Sequence, residues 1–114
     1  RTLSDAVVAT GIPHRGRAGH KRFLGECETV MLEVAGIRRS GAAAIDLAWV
    51  AAGRLDGYWD HDLKAWDLAA GLLMVREAGG IVTDLDGKET VLDTGTVLAA
   101  NPSLHRLLGG LLKQ

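Results

Sequence analysis

Trp66-Asp67-Leu68-Ala69-Ala70-Gly71 opens a long apolar helix that carries one carboxylate in its first turn. After Asp67, only Arg76 and Glu77 carry charge as far as residue 78, so we expect most of the helix surface to be buried. An aspartate here can accept hydrogen bonds from the first N–H groups of the helix, a cap that contributes about 0.5–2 kcal/mol. It can also hold a hard cation. The stretch alone leaves both roles open.

Composition predicts one folded domain. The chain has 114 residues, of which 47% are hydrophobic and 24% charged, which favours a packed core over disorder. Its 13 basic and 14 acidic side chains nearly balance, and no run of Lys or Arg stands out. We therefore predict neither a nucleic-acid nor an anionic-membrane partner, and expect a small molecule or another protein instead.

Cysteine use and the absence of targeting segments indicate a cytoplasmic protein. Cys27 is the only cysteine, which excludes an internal disulfide or a cysteine-based zinc site and fits a reducing compartment, with the thiol acting as a small buried hydrophobe. No apolar run approaches the roughly 20 residues of a membrane span, and the start lacks a signal-peptide pattern. The chain begins at Arg1 rather than methionine, which suggests a piece of something longer.

Strand and helix patterns alternate along the chain. The patterns predict strands at residues 3–10, 37–39, 55–59, 81–83 and 97–99. They predict helices at residues 21–34, 42–52 and 67–78, and a last helix that starts with Pro102 after an Asn101 cap. Because parallel neighbours need a crossover, which is usually a helix, this order predicts an α/β fold with a mainly parallel or mixed sheet flanked by helices.

Apolar spacing predicts how these helices pack. Helix 21–34 places Leu24, Cys27, Met31 and Val34 on one face. Helix 42–52 has Asp46 as its only charge, so we expect it to be packed on nearly all sides. The last helix has a clean amphipathic pattern formed by Leu104, Leu107, Leu108, Leu111 and Leu112.

Two strand-to-helix junctions are expected at one end of the sheet, where α/β proteins bind ligands. Residues 39–43 offer backbone N–H groups unobstructed by side chains, suited to an oxyanion or a hydroxyl oxygen, although close helix packing explains the small residues equally well. Residues 60–67 offer carboxylates. Together they predict a polar ligand with phosphate or hydroxyl groups.

Five blocks follow one another: GAAAIDLA at 41–48, GRLDGYW at 53–59, WDLAAG at 66–71, EAGG at 77–80 and AANP at 99–102. In this order and spacing they resemble the C-terminal half of the inositol monophosphatase family. Residues 8–13 more loosely resemble the strand and turn that open this half. The resemblance implies that residues 1–114 form a single C-terminal α/β domain whose N-terminal metal-binding domain is absent from the sequence.

The resemblance also implies chemistry: magnesium-dependent (Mg²⁺) hydrolysis of a small polyol phosphate by metal-activated water. It makes Asp67 a metal ligand at the substrate site and places the backbone of Gly41, Ala42 and Ala43 along the substrate. Asp60 stands where the family uses an acidic residue to accept hydrogen bonds from substrate hydroxyls. Inositol-specific members have glutamate there, so the shorter aspartate leaves the substrate open. No catalytic residue of its own is expected in this half.

The family's other metal ligands, a glutamate and an Asp-Pro-x-Asp-Gly-Thr/Ser type segment, belong to an upstream half, and no such segment occurs here. Magnesium usually needs more than one carboxylate. We therefore expect the full-length enzyme to be active and this chain alone to be inactive. The family often forms homodimers, and the apolar side chains of helix 21–34 suit such an interface or the core.

The sequence leaves other functions open. The same scaffold serves phosphatases for histidinol phosphate, fructose bisphosphate and phosphoadenosine phosphate, and a non-catalytic small-molecule-binding or interaction module would keep the same fold. Asp84-Leu85-Asp86-Gly87 resembles the start of a calcium loop but lacks the downstream ligands, which favours a tight turn. Four histidines receive no role, and His61 is expected to be a solvated loop residue: His14, His20, His61 and His105.

Overall fold

The computed structural model describes residues 2–11, 20–39, 42–61, 63, 65–88 and 96–112. After a 3-10 turn at Leu3–Asp5, its strands are β1 (Val7–Thr10), β2 (Gly36–Arg38), β3 (Gly57–Asp60), β4 (Ile81–Thr83) and β5 (Val97–Ala100). Its helices are α1 (His20–Met31), α2 (Ala43–Ala51), α3 (Ala65–Glu77) and α4 (Pro102–Leu112). The predicted succession of strands and helices is confirmed, with β1 shortened by the 3-10 turn. Residues 12–19, between the predicted strand 3–10 and the predicted helix 21–34, lie outside the described residues, and α1 begins at His20, one residue earlier than predicted.

The five strands form one mixed sheet in the order β2-β1-β3-β5-β4. β1 pairs in parallel with both β2 and β3, whereas β5 runs antiparallel to β3 and to β4. Four strands therefore point the same way and β5 alone among the described strands is reversed. This confirms the predicted fold class of a mainly parallel or mixed sheet between helices.

Alternate residues of the strands face two separate cores, one on each face of the sheet. Tyr58 lies in the core that contains Leu47 of α2 and Leu68 of α3. Its neighbour Trp59 lies in the other core, with Val30 of α1 and Leu104 of α4. The sheet thus separates an α2/α3 layer from an α1/α4 layer, and successive residues of β3 belong to different layers.

The expectation that α2 and α3 are buried around most of their surface is wrong for the described side chains. In α2, Ile45 is 45% exposed and Trp49 is 40% exposed. In α3, Leu73 is 60% exposed and Met74 is 42% exposed. Each helix packs one face against the other helix and the sheet, and apolar composition does not reveal which face that is.

The predicted packing face of α1 is also wrong. Leu24 and Met31 are 65% and 61% exposed, and Phe23 and Val30 are buried in their place. Glu26 is buried on the same face. The spacing of apolar residues could not predict this, because Glu26 is charged. The helix ends at Met31, three residues earlier than predicted.

The predicted helix caps and the turn at Asp84 are confirmed, and α2 and α3 begin and end within two residues of the predicted positions. Gly79 follows α3 with a φ of 88°, the left-handed conformation that favours glycine at a helix end. The Oδ1 atom of Asn101 accepts a hydrogen bond from the Leu104 N–H at 2.9 Å and caps α4. Asp84 Oδ1 accepts two backbone N–H groups of a tight turn, from Asp86 and Lys88, each at 2.9 Å. Within the described part of the chain, every helix is too short or too polar to cross a membrane.

Candidate functional site

The carboxyl ends of β1, β2 and β3 meet at one end of the sheet, because these three strands are parallel neighbours. α2 follows β2 at this end and α3 follows β3. The prediction that both strand-to-helix junctions share one end is confirmed. Of the predicted substrate-contacting positions, Ala42, Ala43 and Asp60 lie there, and Gly41 lies outside the described residues.

Asp60, the last residue of β3, has a carboxylate held by two hydrogen bonds. The Tyr58 hydroxyl donates to Oδ2 at 2.6 Å, and the His61 backbone N–H donates to Oδ1 at 2.7 Å. Tyr58 is fully buried, so its hydroxyl is a fixed donor. These two contacts fix the orientation of the Asp60 carboxylate at the carboxyl end of β3.

The Asp60 carboxylate occupies the space in which a side chain at position 11 would lie, and Gly11 has none. A Cβ atom at Gly11 would lie 2.6 Å from Asp60 Cγ and 2.7 Å from its Oδ1. Both distances are too short for any side chain without movement of the carboxylate. Gly11, directly after β1, thus lets the Asp60 carboxylate keep its observed position at the end of β3.

We expect Gly11→Ala to displace the Asp60 carboxylate from the Tyr58 hydroxyl while the fold persists, because the end of a side chain rotates away more easily than backbone moves. Tyr58 is the only tyrosine, so the tyrosine doublet of the Raman spectrum reports the hydrogen bonding of this one hydroxyl. Gly110→Ala in α4, where no atom lies within 4 Å of an added Cβ, is the matched control. An unchanged Tyr58 signal in Gly11→Ala would show that Gly11 does not set the position of Asp60.

Alanines occupy the N-cap position and the first two positions of α2, beside its first backbone N–H groups. Ala42 is the N-cap residue, in an extended conformation, and forms no side-chain cap. Asp46 lies in the same first turn and is buried, with 2% of its surface exposed. Backbone N–H groups at such a helix start suit an oxyanion or a hydroxyl oxygen of a ligand.

Asp67 is the third residue of α3, so its predicted place in the first turn is confirmed. Its side chain lies outside the described part of the structure, and the choice between cap and metal ligand stays a prediction. Among the residues that are described, no group of three or more His, Cys, Asp or Glu side chains could hold a metal ion. The described side chains therefore do not by themselves form a magnesium site.

The prediction that His61 is a solvated loop residue is wrong. Its Nε2 atom lies 2.8 Å and 3.0 Å from the two carboxylate oxygens of Glu26. The side chains are only 16% and 8% exposed. Trp59 Nε1–H donates to Glu26 Oε1 at 3.2 Å. Sequence reasoning missed this cluster because 35 residues separate Glu26 from His61, and no local pattern joins them.

The contacts of Cys27 and His105 do not involve the residues of the candidate site. Burial, and secondarily the neighbouring Glu26 carboxylate, raise the pKa of the Cys27 thiol, which keeps it protonated at neutral pH. The Thr83 hydroxyl donates to the Asp84 carbonyl at 2.8 Å and lies 2.7 Å from His105 Nε2. A hydroxyl has one hydrogen, so the imidazole donates in this second contact.

His14 lies outside the described residues, as does the side chain of His20.

Comparison with known proteins gives consistent matches. A profile described as "Inositol monophosphatase family" matches residues 1–114. The inositol-1-monophosphatase of Mesorhizobium japonicum is 56% identical over 106 residues, which cover 93% of this chain and 40% of that protein. The inositol-1-monophosphatase of Rhizobium meliloti is 51% identical over 114 residues, covering 100% of this chain and 43% of that protein.

Further matches carry a different name. Nus factor SuhB of Salmonella typhimurium is 44% identical over 108 residues, covering 95% of this chain and 40% of that protein. The crystal structure of extragenic suppressor protein suhB from Bartonella henselae superposes with a TM-score of 0.96 at 51% identity, covering 100% of this chain and 43% of that one. The chain thus spans about 40% of the length of the curated relatives it matches.

Proposed function

Because this chain belongs to the inositol monophosphatase family, we propose that it supplies the substrate-binding end of a magnesium-dependent phosphomonoesterase that hydrolyses a small polyol phosphate. One observation carries the proposal. Asp60 is fixed by Tyr58 and His61 at the same end of the sheet as the starts of α2 and α3. Hydroxyl-accepting and backbone N–H groups therefore converge where an α/β sheet binds ligands.

In this proposal the described residues bind and orient the substrate. The Asp60 carboxylate accepts hydrogen bonds from substrate hydroxyls, and its fixed orientation limits the positions that those hydroxyls can adopt. The backbone of Gly41, Ala42 and Ala43 lies along the substrate, where small side chains permit close approach.

Asp67 is the metal ligand that this chain contributes. Bound magnesium would neutralise phosphate charge and activate water for attack, and the family places further carboxylate ligands in an upstream half. Since the described side chains include no metal-holding group, we propose that residues 1–114 form a C-terminal domain that is inactive alone. A cytoplasmic, homodimeric full-length enzyme is part of the same proposal.

A chimera tests the proposal. In the Rhizobium meliloti inositol-1-monophosphatase, the matched 43% of the protein is exchanged for this chain, and phosphate release is measured with inositol-1-phosphate, histidinol phosphate, fructose bisphosphate and phosphoadenosine phosphate. We expect magnesium-dependent turnover, fastest with inositol-1-phosphate. The unaltered Rhizobium protein is the control. Faster phosphate release from another ester would show that the substrate is not the proposed polyol phosphate. Turnover without magnesium would contradict the proposed chemistry.

A second function is favoured by the relatives named Nus factor SuhB. These proteins match nearly the whole chain at 44% identity, and their name describes a factor and not a hydrolase, which supports an interaction module of the same fold as the second candidate. A chimera that binds inositol-1-phosphate in calorimetry without magnesium and releases no phosphate would favour this second function over the first.

A further inference from the structure

The end of β3 is held on the face opposite to Asp60 by a buried polar cluster of Glu26, Trp59 and His61. Glu26 of α1 accepts a hydrogen bond from Trp59 Nε1–H at 3.2 Å and lies 2.8 Å from His61 Nε2. A carboxylate only accepts hydrogen bonds, so His61 Nε2 carries the hydrogen. Burial of a carboxylate is costly unless its oxygens are hydrogen-bonded, and here both oxygens contact His61.

The two contacts to Glu26 come from the residues on either side of Asp60. Because successive side chains of a strand point to opposite faces, Trp59 and His61 face α1 while Asp60 faces the α2/α3 layer. Glu26 of α1 therefore contacts the residues immediately before and after Asp60, the carboxylate that the proposed function assigns to the substrate. These contacts and the Asp60 carboxylate lie on opposite faces of the end of β3.

His61 connects Glu26 to Asp60 through its own backbone. Its imidazole is held by Glu26, while its backbone N–H donates to Asp60 Oδ1 at 2.7 Å. Fixing the ring fixes the backbone at this position, and the backbone N–H in turn limits rotation of the carboxylate.

We propose that His61, held by Glu26, is a positioning residue for Asp60. The link between the imidazole and the carboxylate rests on the contacts above, and its effect on substrate rests on the proposed function. A purely structural cluster would behave differently. Its loss would weaken all protected parts of the chain alike, whereas loss of a positioning contact would act first on the His61 amide.

Amide hydrogen exchange of the ¹⁵N-labelled 114-residue chain separates these two cases. The amide at position 61 reports the contact to Asp60, and the Ala99 amide in β5 is an internal reference in a fully buried strand. In His61→Leu we expect exchange at position 61, corrected for intrinsic rates, to accelerate about tenfold beyond any change at Ala99. His61→Gln, which keeps an N–H donor of similar reach, should stay within about threefold of the unaltered chain.

A matched control removes a different contact of the same carboxylate. Arg22 Nε lies 3.8 Å from Glu26 Oε2, and the Arg22 side chain is 67% exposed, so Arg22→Ala should leave exchange at position 61 unchanged. If His61→Leu does not fold, His61→Asn gives the same comparison, because its shorter amide does not reach Glu26. Equal acceleration at position 61 and Ala99, or failure of His61→Gln to restore protection, would overturn the proposal.

Kinetics of the Rhizobium chimera test the consequence for substrate. His61→Leu should raise KM for inositol-1-phosphate about tenfold with kcat within about twofold, because it disturbs a binding group rather than the reacting atoms. If the unaltered chimera is inactive, the proposed function is wrong, and the exchange comparison still decides whether His61 positions Asp60. If His61→Leu exchanges faster but KM is unchanged, Asp60 does not contact the substrate, although His61 still positions it.

Discussion

Asp67→Asn is expected to lower magnesium-supported phosphate release by at least about 100-fold, roughly 2.7 kcal/mol of transition-state stabilisation, in the chimera with the Rhizobium relative. A neutral amide oxygen replaces a carboxylate, the ligand that magnesium prefers. Folding should change little, because asparagine also suits a helix start and only the charge–dipole contribution of about 0.3–1 kcal/mol is lost. Initial rates and the thermal unfolding midpoint are measured on the same preparations.

Glu77→Gln is the matched control for this change. It removes one carboxylate from the exposed opposite end of the same helix, α3, and should leave turnover within about twofold, since surface charges contribute little. If Asp67→Asn retains the turnover of Glu77→Gln, Asp67 is a helix cap and not a metal ligand.

Gly71→Ala is expected to lower the free energy of unfolding by about 1–2 kcal/mol, because Leu47 of α2 packs directly against this glycine of α3. An added Cβ would lie 2.5 Å from Leu47 Cδ1 and 2.7 Å from Leu47 Cβ, and the second atom cannot move without the α2 backbone. The overpacking cost exceeds the roughly 0.5–1 kcal/mol that alanine gains over glycine within a helix. Urea unfolding followed by circular dichroism measures the difference.

Gly25→Ala makes the identical change within α1, where no atom lies within 4 Å of the added Cβ. Only the helix propensity operates there, so we expect stability to rise by about 0.5–1 kcal/mol. The two alanine variants should therefore shift stability in opposite directions. Stabilisation by both would show that the α2–α3 contact yields without cost.

The order of strands and helices could be predicted from the sequence because its signals are local. Gly79 ends α3 in a left-handed conformation, and Asn101 caps α4 one residue before Pro102; both features follow from the chemistry of a few adjacent residues. The end of the sheet that carries the site was predictable for a related reason. Helical connections imply parallel strands, and parallel strands place their carboxyl ends together.

The packing of the helices and the support of Asp60 could not be predicted in this way. Apolar residues such as Leu24 and Leu73 are exposed, because composition does not determine which neighbour a helix face meets. The contact between Glu26 and His61 joins residues far apart in sequence. The available signal was Glu26 itself, a charge at helical spacing from Phe23 and Val30, both of which are buried.

The role of Asp67 stays a prediction, as does that of Gly41. Their assignment rests on the family resemblance of the blocks at 41–48 and 66–71, which the matches over the whole chain support at the level of the family. Asp60, Ala42 and Ala43 have observed positions at the predicted end of the sheet, and their contacts with substrate remain proposals.

The decisive measurement is phosphate release from inositol-1-phosphate across a magnesium titration, with the mass-verified 114-residue chain and the Rhizobium chimera measured side by side. We expect saturable, magnesium-dependent turnover by the chimera and none by the chain alone, because a single carboxylate does not hold magnesium in a working site. Turnover by the chain alone, or a folded chimera without turnover at any magnesium concentration, would contradict this expectation.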